Sequence, residues 1–157
     1  MNELGWIEQQ LREAYEGEPW HGPSLRSILK DVTADQAAFR PLALGHSMWE
    51  LVLHVIAWEE VVRRRMSGET VAGLSAEQDF PIVEDTSEAA WRSTLERLHQ
   101  KNTQLRLAIR VFPEDKLQEI VPARKHSFRT MLHGSVQHQA YHAGQIALLK
   151  RAVNARG

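Results

Sequence analysis

The chain has 157 residues, 43% hydrophobic and 25% charged, with a formal net charge of -1, which gives no electrostatic case for nucleic acid or an anionic membrane surface. No apolar run approaches the ~20 residues that span a bilayer, and the opening MNELGWIEQQ lacks a signal peptide's apolar segment, so the expected location is cytoplasmic. The absence of cysteine excludes disulfides, a protein thiol nucleophile and thiolate ligation, so any metal here has to be held by histidines and carboxylates.

From the N-terminus, Asn2 to Glu16 carries Leu4, Ile7, Leu11, Ala14 and Tyr15 at helical spacing, and Gly17 and Pro19 stop it. WHGPSLRSILKDV (Trp20 to Val32) predicts a turn and a short helix, with Pro23 near the helix start, and TADQ (Thr33 to Gln36) has capping-box spacing for another short piece. SMWE (Ser47 to Glu50) is a second capping box. It opens a helix to about Met66 with Leu51, His54, Val55, Trp58 and Val62 on one face, and Arg63, Arg64 and Arg65 read as its solvated end. Gly68 and Gly73 end that helix, and a polar loop through Pro81 to Thr86 follows. A third long helix runs from about Ser87 to Arg110, broken by Pro113. KLQEIVPA (Lys116 to Ala123) reads as an extended connection, and the last helix runs from near Ser127 to about Val153. Without repeats, linkers or a set of strands, the expectation is an all-α four-helix bundle. It forms one domain over residues 1–157, with short extra helices and a long crossover.

The segment SVQHQAYHAGQI places His138 and His142 four residues apart, about 40° round a helix and about 6 Å along it, so both can face one space. Such spacing alone is weak evidence. Met131, Ser135, His138, His142, Gln145 and Leu149 alternate by fours and threes, the pattern of an inward stripe, so both imidazoles take positions that should be apolar. His54 falls on the apolar face of its own helix, where Glu50 and Trp58 are the nearest candidate partners. Two readings stand: a shared metal that satisfies all three, or buried histidines bonded to side chains and backbone. Gly144, mid-helix, carries a propensity penalty of about 1 kcal/mol and suggests close packing. His133, about 140° from His138, is expected on another face, and His99 and His126 at the surface. His46 belongs to a capping region, while His21, in an aromatic turn, is a candidate for lining the site. Trp20, Trp49, Trp58 and Trp91 suit either a plain core or a pocket wall.

The segments HSMWELVLHVIAWEE (His46 to Glu60) and HGSVQHQAYHAGQIALLKR (His133 to Arg151), with WHGPSL (Trp20 to Leu25), resemble the DinB-like family of four-helix bundles, also called YfiT-like metal-dependent hydrolases. The resemblance implies that His54, His138 and His142 are the metal ligands, that the metal is nickel or zinc, and that the protein forms a homodimer. It also implies a small-molecule substrate, since characterised relatives include transferases of bacillithiol-type thiols and mycothiol-dependent isomerases. Three kinds of function follow as expectations: transfer of a low-molecular-weight thiol to an electrophile, hydrolysis by a metal-activated water, or a non-catalytic metal-binding, stress-related module. Glu50 or Gln145 would orient the ligands, and Glu50 or Glu59 could act as a base, with Glu59 expected to face solvent.

Overall fold

The computed structural model describes residues 1–155. Four long helices carry the fold: α1 (Glu3–Glu16), α4 (Met48–Met66), α6 (Glu88–Val111) and α7 (Phe128–Asn154). Between them lie the short helices α2 (Leu25–Leu29), α3 (Ala34–Ala38) and α5 (Ala76–Asp79), and a 3-10 turn at Glu114–Gln118. The predicted starts hold. Asn2, Thr33, Ser47, Ser87 and Ser127 each accept a backbone N–H of the first turn, and Thr33 and Ser47 close full capping boxes. Pro23 lies one residue outside the N-cap of α2, Ser24. The helix α5 is an addition to the predicted set: SAEQ at Ser75 to Gln78 is a third complete capping box inside the stretch read as loop. After the 3-10 turn, the predicted extended connection is reduced to a single antiparallel bridge between Ile120 and Ser127.

Cross-helix contacts give the arrangement. Glu8 and Tyr15 of α1 meet Arg106 and His99 of α6, so these two helices run antiparallel. Trp49 and Glu59 of α4 bond Thr94 and Asn102 of α6, so α4 and α6 run parallel. Glu3 bonds Arg129 and His133 at the start of α7, which ascends beside α1. Each of α1 and α4 thus packs against both α6 and α7. Because α4 and α6 are parallel, the 67–87 connection must run back along the bundle; this is the long crossover, and it carries α5 over the side of α4.

The core forms two apolar clusters, one around Trp49, Val52, Trp91 and Ile146, the other around Ile7, Leu11, Leu105 and Leu132. Glu59 of α4, Asn102 of α6 and Gln139 of α7 form a buried polar layer between them. Among the described residues no helix is long and apolar enough to cross a membrane.

Candidate metal centre

The inward faces of α4 and α7 bring three imidazoles together: His54 and His142 are buried and His138 half-buried. His138 Nε2 lies 3.0 Å from His54 Nε2 and 3.1 Å from His142 Nε2. All three donor atoms fall within 4.8 Å of one another. The i, i+4 pair of α7 is therefore completed by a residue 84 positions earlier, as the antiparallel packing of α4 on α7 requires.

Outward-facing nitrogens fix the rings. His54 Nδ1 faces Asp79 Oδ1 at 2.9 Å and the Asp79 carbonyl at 3.1 Å, so it carries the proton and donates. Trp58 Nε1 donates to the same Asp79 Oδ1 at 2.7 Å and holds the carboxylate in place. His142 Nδ1 donates to Gln145 Oε1 at 2.6 Å. Phe80 stacks on His54 at 4.3 Å and is itself covered by His46 at 3.7 Å, closing the site on the α5 side.

This bonding settles what the inner nitrogens can do. With Nδ1–H on His54 and His142, both of their Nε2 atoms present lone pairs to His138 Nε2, which can offer a hydrogen to only one of them. Without a further group, one buried lone-pair contact stays unmatched; a cation would serve all three nitrogens. Three nitrogens at about 2.0–2.1 Å from a zinc-sized ion stand roughly 3.0–3.4 Å apart, and His138 Nε2 stands at that spacing from both of the other rings. Burial, with His142 and His54 beside it, pulls the His138 pKa down to about 4, and burial also lowers that of His142. Near neutral pH these two imidazoles are neutral, the form that binds a metal.

His138 also lines a cavity of about 250 Å³ between α4 and α7, walled by Val55, Trp58, Val62 and Met131. Glu59 borders it and is only 5% exposed, which overturns the expectation that it faces solvent. Its Oε1 accepts from Asn102 Nδ2 at 2.8 Å, its Oε2 has no partner among the described residues, and desolvation raises its pKa to about 8 despite that bond. The signal for its burial is present in the sequence: Val52, Val55, Glu59 and Val62 follow the 3-4 alternation of an inward stripe, and Glu60 takes the outer position with Arg63 and Lys101.

The other expected residues divide. Gln145 bonds His142 directly, and Trp58 bonds the Asp79 carboxylate that holds His54. Glu50 does neither: its carboxylate is taken up by Ser47 N–H at 2.7 Å and a two-pronged pair with Arg40, so it serves the helix start. His21 is exposed and lines a separate groove with Trp6, Glu13 and Ala140, on the side of α7 away from the histidine trio. His133 pairs with Glu3 on another face, as its angle requires. His99 and His126 are half-buried rather than superficial, and His126 borders the cavity. Trp49 and Trp91 are core and Trp20 is exposed, so Trp58 alone of the four reaches the site. Gly144 is exposed with open space where a Cβ would stand, so no close packing explains it. The group missed altogether is Asp79, which lies 25 residues from His54 on a helix the periodicity did not reveal.

Comparison with known proteins gives one positive result: residues 20–146 match the family model of the DinB superfamily, a span that includes all three histidines. No curated protein and no solved structure matches the chain.

Proposed function

The chain belongs to the DinB superfamily, and from that premise we propose that His54, His138 and His142 hold a divalent transition metal, nickel or zinc, in an enzyme that joins a bacillithiol-type thiol to an electrophile. The observation that carries this reading is the convergence of three Nε2 atoms on one point at the wall of a cavity, with too few hydrogens to satisfy them. A metal bound there would lower the pKa of a thiol or water that reaches it. The residues do the rest. Asp79 and Gln145 fix the rings through Nδ1, Phe80 and Trp58 pack against the His54 ring, and Glu59 holds a proton beside the cavity. A chain with no cysteine suits a reaction whose sulfur arrives with the cosubstrate.

The test loads the purified protein with nickel or zinc and follows the coupling of bacillithiol and related thiols to a chromogenic electrophile. The expected result is a rate that needs metal and is lost in His138→Ala. No rate above that variant with any thiol sinks the assignment. Glu59 favours a second reading, hydrolysis, because a carboxyl titrating near pH 8 at the cavity can serve as the proton-transfer group that the sequence motif lacked. Ester, amide and phosphoester substrates assayed without thiol separate the two reactions. Inactivity in both assays with tight metal binding would leave a metal-binding module. We further take the working assembly to be a homodimer, as the family resemblance implies; light scattering on the eluted protein checks it.

A further inference from the structure

We infer that the cavity beside the histidine trio binds a small molecule with an apolar body and a carboxylate, the carboxylate being held by Arg65 with Arg124 and His126. This deepens the reading above, since it takes that cavity to be the substrate site.

Arg65 belongs to the run that looked like a solvated helix end, yet it is only 2% exposed. Its Nε donates to the Val71 carbonyl at 2.9 Å and its guanidinium lies 5.9 Å from the Trp58 ring centroid. Its Nη2 is buried without a partner among the described residues. A buried cation with an unused donor is costly unless an acceptor meets it. No carboxylate among the described residues does so: Glu59, on the same cavity, bonds Asn102, and Asp79 is engaged by His54 and Trp58. The other basic groups bordering the cavity add to the imbalance. Among the described residues the Arg124 side chain bonds the Ala72 carbonyl and no carboxylate, and His126 carries no ion pair. Burial and the nearby Arg124 lower the Arg65 pKa, and burial with both arginines lowers that of His126, so the three bases repel one another.

The geometry orders the ligand. His138 and Glu59 border the cavity with Trp58, and Arg65 lies seven residues further along α4 than Trp58, about 10 Å along the axis. Val55, Val62 and Met131 wall the space. A molecule anchored at Arg65 by a carboxylate would run its apolar part along this wall and present its far end to His138. One buried guanidinium fork suits a single carboxylate, which accepts two parallel N–H bonds.

The test measures binding of 3-phenylpropanoate, 3-phenylpropanamide and inorganic phosphate by calorimetry, on the full chain after chelation and again after nickel loading. The acid should bind about tenfold or more tightly than the amide in both forms. Arg65→Met should erase that preference, and Arg124→Gln, an exposed change that leaves the core intact, should reduce it several-fold. Equal affinity for acid and amide, or binding of neither, in the folded wild type overturns the proposal. Phosphate binding as tightly as the acid and displacing it overturns the carboxylate assignment. Nickel titration of the same samples tests the metal reading separately: acid selectivity without nickel binding sinks that reading alone, and nickel binding without acid selectivity sinks this one alone.

Discussion

His54 is held by a carboxylate at its outer nitrogen, and that contact makes its inner lone pair more basic and fixes its direction. Asp79→Asn removes the charge while keeping the shape, and should weaken nickel or zinc binding about 10- to 100-fold, measured by competition with a chromophoric chelator. Glu59 gives a pH signature. Its folded pKa of about 8 lies above the ordinary carboxyl value of 4.5, so between those values the unfolded chain has released a proton that the folded chain retains. Its contribution therefore falls as pH rises through that window. Glu59→Gln should gain stability relative to the wild type from about pH 5 to about pH 8, by an amount on the order of a few kcal/mol, read from urea unfolding at each pH. A flat difference would place the carboxylate in a better-solvated setting. At this scale the three histidines were legible, because each interrupts an apolar face. Asp79 was not, because its role depends on a backbone path that no periodicity describes.

At the scale of the element, the capping boxes did most to delimit the helices. The Ser47–Glu50 box also explains why Glu50 is unavailable to the histidine trio: although burial works against it, Ser47 and Arg40 hold the Glu50 carboxyl below its usual range. Glu50→Gln should therefore lower thermal stability while leaving metal affinity within about twofold of wild type, whereas an orienting residue would move it at least tenfold. Gly144 offers the opposite case. Its exposed position in α7 has room for a methyl group, so Gly144→Ala should raise stability by about 0.5–1 kcal/mol in chemical unfolding. A loss would point to a partner over that face. Helix extents were readable from spacing and caps. The short α5 escaped because its four residues are too few to show a period, although its capping box stood in the sequence.

Across the whole molecule, the proposed ligands join α4 to α7, so a metal binding only the folded chain would brace the bundle against unfolding. At a free concentration 100 times its Kd, nickel or zinc should add about 2.7 kcal/mol of stability, with a matching rise in Tm. The increment should vanish in His138→Ala, and no rise in the wild type would count against the centre. The layer formed by Glu59, Asn102 and Gln139 divides the core at mid-height, and Glu59 opens that layer to the cavity. The sequence by itself determined the helix class, the long helices and the three histidines, since these follow from local periodicity, capping chemistry and polar residues on apolar faces. Only the tertiary structure decided that α4 runs parallel to α6 and antiparallel to α7, that the returning crossover lays Asp79 on His54, and that Glu59 and Arg65 turn inward. Those outcomes depend on how separate helices are set against one another, and a side chain's neighbours across a helix interface are not fixed by the spacing within either helix.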